Sequence, residues 1–181
     1  MTIDTKLVLK VLYILTWIIF VGICIEAGGF IANAVFALFN PAVVKHLYRQ
    51  VDLSDLFQCD KGHFFAQTLL SGIVLVLKAV LFYQIIKILH DKKLSVSQPF
   101  NKEMRRFVFS LSFFSLFIGL FSFYGAKYAE WLTSNGVKMP DIQQLRLGGA
   151  DVWMFMAVIL FVIAQIFKRG IEIQTENDLT V

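Results

Sequence analysis

The 181-residue chain holds only three prolines, three histidines and two cysteines, and 17% of it is charged. Each shortage excludes something. Cys24 lies inside a long apolar run and Cys59 in the polar stretch after it, so no disulfide framework is available and Cys24 reads as a small packing residue. His46, His63 and His90 are scattered, and the group Cys59, Asp60, His63 is too small for a metal site. No nucleophile has a base beside it, as covalent catalysis would require. The pairs Gly28-Gly29 and Gly148-Gly149 adjoin apolar runs and lack the Lys-Ser/Thr that follows a phosphate loop. The sequence therefore implies no catalytic residue, no metal and no cofactor, and argues against an enzyme.

What is abundant is apolar surface. Hydrophobic residues make up 57% of the chain, 19 of them Phe, and mean hydropathy is +0.69. Soluble domains sit near about 45–50% apolar. The pattern predicts an all-α integral membrane protein: one membrane domain over residues 1–181, a four-transmembrane-helix bundle with two longer extracytoplasmic loops. The expected spans are residues 10–33, 64–89, 107–126 and 150–167, followed by a cytoplasmic tail, 168–181. The whole first apolar stretch, Leu7 to Phe39, would be about 50 Å long against a hydrocarbon core of about 30 Å. It must tilt, project or break at Gly28-Gly29, and Asn40-Pro41 ends it. Lys6 and Lys10 precede it as in a signal peptide. The run is too long for one, and Cys24-Ile25-Glu26-Ala27 is a poor cleavage site, so an uncleaved anchor is expected. In the following loop, Val43, Val44, Leu47, Tyr48 and Val51 recur at helical spacing, which predicts a short amphipathic helix on the membrane surface. Asp60-Lys61-Gly62 has turn composition.

Orientation follows from Lys and Arg. The N-terminus, the middle loop and the tail together carry ten, and the two long loops carry six over more residues. The positive-inside rule puts both termini in the cytoplasm. That bias also accounts for the basic middle loop, so no direct nucleic-acid contact is expected.

Polar residues inside the spans form stripes. At 100° per residue Gly22, Glu26, Gly29, Asn33 and Asn40 share one side of the first helix. Gln67, Ser71 and Lys78 align on the second, and Ser112, Ser115, Gly119 and Ala126 on the third. Lipid cannot satisfy such groups, so the stripes should face one another. Glu26, Asn33, Gln67, Ser71 and Lys78 are the candidate intramembrane polar site. An ionised group at a helix centre costs about 2.5–3.5 kcal/mol, so Glu26 should be paired, hydrated or protonated. Measured from Lys10 and from Lys87, Glu26 lies about 24 Å and Lys78 about 14 Å above the cytoplasmic side. That offset argues against direct contact between them. It favours Arg146, Lys127 or loop backbone as the partner of Glu26, with Lys78 snorkelling toward headgroups. Two readings of Glu26 stay open: a proton-, cation- or ligand-coupled site, or a structural bond.

The C-terminal stretch from Leu160 through Lys168-Arg169-Gly170-Ile171-Glu172 to Val181 resembles the ending of a bacterial family of four-span membrane proteins catalogued as domain of unknown function 2975. Gln98-Pro99-Phe100-Asn101-Lys102-Glu103 fits the same family, and the likeness covers the last three spans. The resemblance implies a bacterial cytoplasmic (inner) membrane, four helices and no assigned activity. It also implies a cytoplasmic helix-turn-helix regulator as partner, because members are often encoded beside one. Glu172, Glu176 and Asp178 would form the docking tail. Besides the lipid bilayer and such a regulator, a second copy of the chain is a candidate partner. The function expected is a non-enzymatic sensor or regulatory component; the alternative is a small oligomeric transporter or channel with Glu26 in its pathway.

Overall fold

A computed structural model describes residues 5–40, 44, 51–91 and 101–178. Among them are five helices and no strand: α1 (Thr5–Phe39), α2 (Ser54–Cys59), α3 (Lys61–His90), α4 (Lys102–Ser134) and α5 (Ala150–Asp178). All but α2 are long and apolar enough to cross a membrane.

Helix α1 runs unbroken for 35 residues. Gly28-Gly29 does not interrupt it, so of the three ways to fit its length only tilting or projection remains. Its inward seam is Thr16, Phe20, Ile23, Ala27, Phe30, Ala34 and Ala37, all buried or half-buried. Spacings of three and four alternate, as in a coiled-coil contact. The predicted stripe lies along the edge of this seam. Glu26, Gly29 and Asn33 are half-buried, but Gly22 and Asn40 are exposed, and a Cβ added at Gly22 meets nothing within 4 Å.

Helix α3 begins where turn composition was expected. Asp60 is its N-cap, and the carboxylate accepts from the His63 amide at 3.0 Å; the same Asp that favours turns satisfies an orphan helix donor. Asn101 caps α4 in the same way, accepting from Met104 N at 2.7 Å. The small-residue face predicted on α4 is present. Ser112, Ser115 and Gly119 are buried, joined by Ser122 and Gly125, while Ala126 is half-buried. A Cβ at Gly119 would lie 3.1 Å from the Ala150 carbonyl oxygen and 2.6 Å from Met154 Cγ. Ser112 Oγ donates to the Ala157 carbonyl at 2.8 Å. Small residues on α4 thus let the α5 backbone approach closely.

Neighbouring helices pack in the order α1, α3, α4, α5, and among the described residues α1 makes no close backbone approach to α4 or α5. Among the described residues α1 and α5 therefore stand at opposite ends of the packing order. Cross-helix pairs fix the register. Tyr13 meets His90, Phe20 meets Tyr83 and Ile31 meets Gly72 between α1 and α3. His63 meets Tyr128, and Gln67 meets Gly125, between α3 and α4.

The connections are not free loops. Leu53, Leu56, Phe64, Leu132, Leu145 and Leu147 are all at most 1% exposed and belong to one core cluster. Of the predicted surface helix only Val44 and Val51 are described. Both are buried by protein, and Leu53 N donates to Val44 O at 3.3 Å; the rest of that segment lies outside the described residues, as do Gln98, Pro99 and Phe100. The α4–α5 connection folds back into the bundle. Helix α4 continues to Ser134, whereas α5 starts beside Gly119, about 22 Å back along the α4 axis. The chain between them returns over α4, with Leu147 against Gly125.

Candidate functional site

The returning segment delivers one charged residue to the interior. Arg146 has φ of 62°, left-handed backbone that an L side chain adopts at a cost of roughly 1–2 kcal/mol. Gln143 O accepts from its amide at 3.1 Å and Ile142 O accepts from Leu147 N at 3.1 Å. The buried side chains of Leu145 and Leu147 anchor the turn on either side. Held this way, Arg146 presents its guanidinium to α1 and its carbonyl to α3.

Arg146 Nη2 donates to Glu26 Oε1 at 2.7 Å, with the side chains 33% and 18% exposed. Lys78 Nζ donates to the Arg146 carbonyl at 3.2 Å and lies 5.6 Å from the centre of the Trp153 ring, within cation–π range. Three elements meet here: α1 through Glu26, α3 through Lys78, and the α4–α5 connection with the first turn of α5 through Arg146 and Trp153. Arg146 is thus the partner of Glu26, one of those the sequence favoured.

Glu26 and Lys78 are not offset along the bundle as Lys10 and Lys87 suggest. With Tyr13 facing His90, Phe20 facing Tyr83 and Ile31 facing Gly72, Glu26 is level with Leu77 and Lys78. Lys10 and Lys87 do not mark one plane. Lys87 is level with Thr16, about 9 Å farther up α1, and that stagger accounts for the offset of about ten ångströms. Lys78 does not snorkel toward the Lys87 end of α3; its ammonium goes to the Arg146 carbonyl.

The other candidates lie apart from this cluster. Gln67 Nε2 donates to Gly125 O at 3.4 Å. Gln67 Oε1, Ser71 Oγ and Ser122 Oγ are buried with no protein partner. The α3–α4 register places Ser71 and Ser122 at one level, a polar layer beside the charged cluster. Asn33 is half-buried two turns beyond Glu26. In the tail, α5 continues as helix past the expected end of the span at Phe167. Phe109 meets Phe161, which places Lys102, the first residue of α4, level with Lys168. The turns from Arg169 to Asp178 then project about 15 Å beyond α4. Glu172 pairs with Lys168 at 3.9 Å and with Arg169 at 3.3 Å. Its charge is therefore largely answered within the helix; Glu176 is exposed and Asp178 ends the helix.

Trp153 and the inward course of residues 135–149 are the parts that residue-by-residue reading missed. The signal was present in Leu145 and Leu147, two large apolar residues at strand-like spacing inside an otherwise polar connection.

The chain belongs to the family described as protein of unknown function DUF2975, whose model matches residues 52–181. The match begins after α1 and takes in Lys78, Arg146 and Trp153. No curated protein and no solved structure matches the chain. Membership carries no activity, and four long apolar helices suggest a multi-pass membrane protein.

Proposed function

We propose that this protein is a non-enzymatic sensor or regulatory component of a bacterial cytoplasmic membrane, with both termini in the cytoplasm and the α1–α2 and α4–α5 connections on the outer side. One observation carries the reading: α5 is a single helix of 29 residues from Ala150 to Asp178, about 43 Å long. Its first turn adjoins the Glu26–Arg146–Lys78 cluster, and its last turns run on past the first residue of α4. A change at the cluster that shifts Arg146 pulls on the start of α5, and a continuous helix carries that shift to the exposed tail. Aromatic residues Tyr124, Tyr128 and Trp131 near the outer end of α4 agree with this placement, as side chains that sit at headgroup level do.

The transporter alternative places Glu26 in a pathway. It is less well supported, because Glu26 is already engaged by Arg146 and the fully buried Leu145 and Leu147 close the bundle directly outward of it. The partner expected for the tail is a cytoplasmic protein, and family resemblance alone makes a helix-turn-helix regulator the first candidate. The test is a crosslinking pull-down from native membranes, using the full chain and a form lacking residues 171–181, matched for membrane abundance. One cytoplasmic protein should be captured by the full chain and lost with the tail. Identical capture by both forms, or capture by neither, overturns the proposal.

A further inference from the structure

The charged cluster is unbalanced. Lys78 and Arg146 are both cationic, and Glu26 is the one carboxylate that the described residues bring to them; the nearby Asp151 is exposed and makes no ion pair. The donors are also in excess. An ammonium has three N–H donors, of which Lys78 uses one on the Arg146 carbonyl and turns its charge toward Trp153. A guanidinium has five, and Arg146 commits Nη2 to Glu26. The Arg146 side chain is still 33% exposed. The outward faces of the two helices are apolar: Ile18, Val21 and Ile25 on α1 and Val152, Phe155 and Met156 on α5 are exposed hydrophobics. A net positive charge with spare donors is costly in such surroundings unless an anion answers it.

We propose that Lys78 and Arg146 bind a singly charged oxyanion, a phosphodiester or carboxylate, that reaches them from the exposed side of Arg146. Arg146 offers the planar fork suited to an oxyanion, and Lys78 adds a point charge from the opposite helix. Glu26 orients the guanidinium while leaving its other edge free. This rests on the sensor reading above and supplies the ligand for it: an oxyanion on the free edge would draw the guanidinium away from Glu26, and so move the start of α5. The oxyanion comes either from the headgroup of an anionic lipid or from a small free solute.

The test uses the full chain in detergent. Native mass spectrometry reads retention of added dioleoyl phosphatidylglycerol against zwitterionic dioleoyl phosphatidylcholine. In a Trp17→Phe/Trp131→Phe background, Trp153 emission is titrated with acetate and with inorganic phosphate. The variant is Lys78→Gln, which leaves the Glu26–Arg146 pair intact; Arg146→Gln is the second. Selective retention of phosphatidylglycerol, reduced about tenfold or more by Lys78→Gln as loss of a charge-assisted hydrogen bond implies, establishes the lipid source. An emission change with acetate or phosphate that the variant abolishes establishes the free oxyanion. Retention and emission indistinguishable between wild type and both variants overturn the proposal. The tail pull-down is read separately, so loss of the partner result with oxyanion binding intact would sink the sensor reading alone.

Discussion

Replacing Glu26 by Gln should destabilise the protein by about 2 kcal/mol. An exposed ion pair contributes about 0.2–1 kcal/mol, whereas removing one partner of a fully buried pair costs about 3–5 kcal/mol because the other charge is stranded. With Glu26 18% and Arg146 33% exposed, this pair falls between those limits, and Gln retains an acceptor for Arg146. Glu26→Gln also strands two cations, Arg146 and Lys78, with no carboxylate from α1, which holds the figure toward the middle of the range. Arg146 gives an internal control. Arg146→Ala loses the pair and keeps the left-handed backbone at φ of 62°. Arg146→Gly loses the pair but relieves strain of roughly 1–2 kcal/mol, so Gly should be the milder of the two. In the double mutant with Glu26→Gln, the second substitution should add much less than it costs alone. The assay is reversible unfolding in mixed micelles, followed by Trp fluorescence. Glu26→Gln within about 0.5 kcal/mol of wild type, the range of an ordinary surface substitution, would refute the claim that the pair ties α1 to the α4–α5 connection.

Gly119→Val should cost about 1–3 kcal/mol by overpacking, because its Cβ would lie 3.1 Å from the Ala150 carbonyl oxygen and from Met154 N. Gly22→Ala, with open space around it, should stay within about 0.5 kcal/mol; equal effects in thermal melts in detergent would contradict the packing. Backbone hydrogen bonds from His63, the larger effect, and from Gly62 hold the Asp60 carboxyl below the usual carboxylate range. A depressed folded pKa means that the stabilisation is complete above the ordinary Asp value of about 3.9 and is lost as pH falls through the lower folded value. The stability difference between wild type and Asp60→Asn should therefore be flat above about pH 5 and shrink only in acid; a change confined to neutral pH would be wrong for this cap. Cys59 and Cys24 are both exposed in the protein, but the proposed topology puts Cys59 in water outside and Cys24 in lipid. A membrane-impermeant maleimide should thus label Cys59 in intact spheroplasts and leave Cys24 unmodified, and Cys59 labelling only after lysis would invert the orientation.

Much of the fold can be read in the residues, because helical periodicity reports rotation. The spacing of Ser112, Ser115 and Gly119 told which face of α4 would be close-packed, and the apolar runs told how many long helices to expect. Periodicity says nothing about axial position. Lys10 and Lys87 look like matching ends, yet the aromatic contacts Tyr13–His90 and Phe20–Tyr83 stagger them by about 9 Å. The register that decides whether Glu26 and Lys78 share a level is set by such side-chain shapes. The stripe on α1 holds only in part for a related reason. Glu26, Gly29 and Asn33 are half-buried while Gly22 and Asn40 are exposed, and the contact with α3 is made by Ala27 and Phe30, whose apolar character does not distinguish them from the residues that face outward. Composition also misled at both connections. Asp60 is equally apt for a turn and for a helix cap, and Pro140, Asp141 and Gln143 announce a solvated loop although Leu145 and Leu147 bury it.

The charges sit apart from the helix–helix packing. Ala27, Phe30 and Leu75 pack between α1 and α3, and Gly119 and Ser112 between α4 and α5, so neither junction needs the cluster for packing. What the Glu26–Arg146 pair adds is a charged link between α1 and the chain leading into α5, besides the hydrophobic cluster that holds Ala37, Leu145 and Leu147 together. The family match covers α2 to α5 and stops short of α1. Arg146 and Lys78 therefore belong to the shared part of the chain, and Glu26 reaches them from outside it. If the proposed oxyanion draws Arg146 away from Glu26, it loosens that link, and on the proposed reading α1 is the restraint on α5 that the ligand lifts.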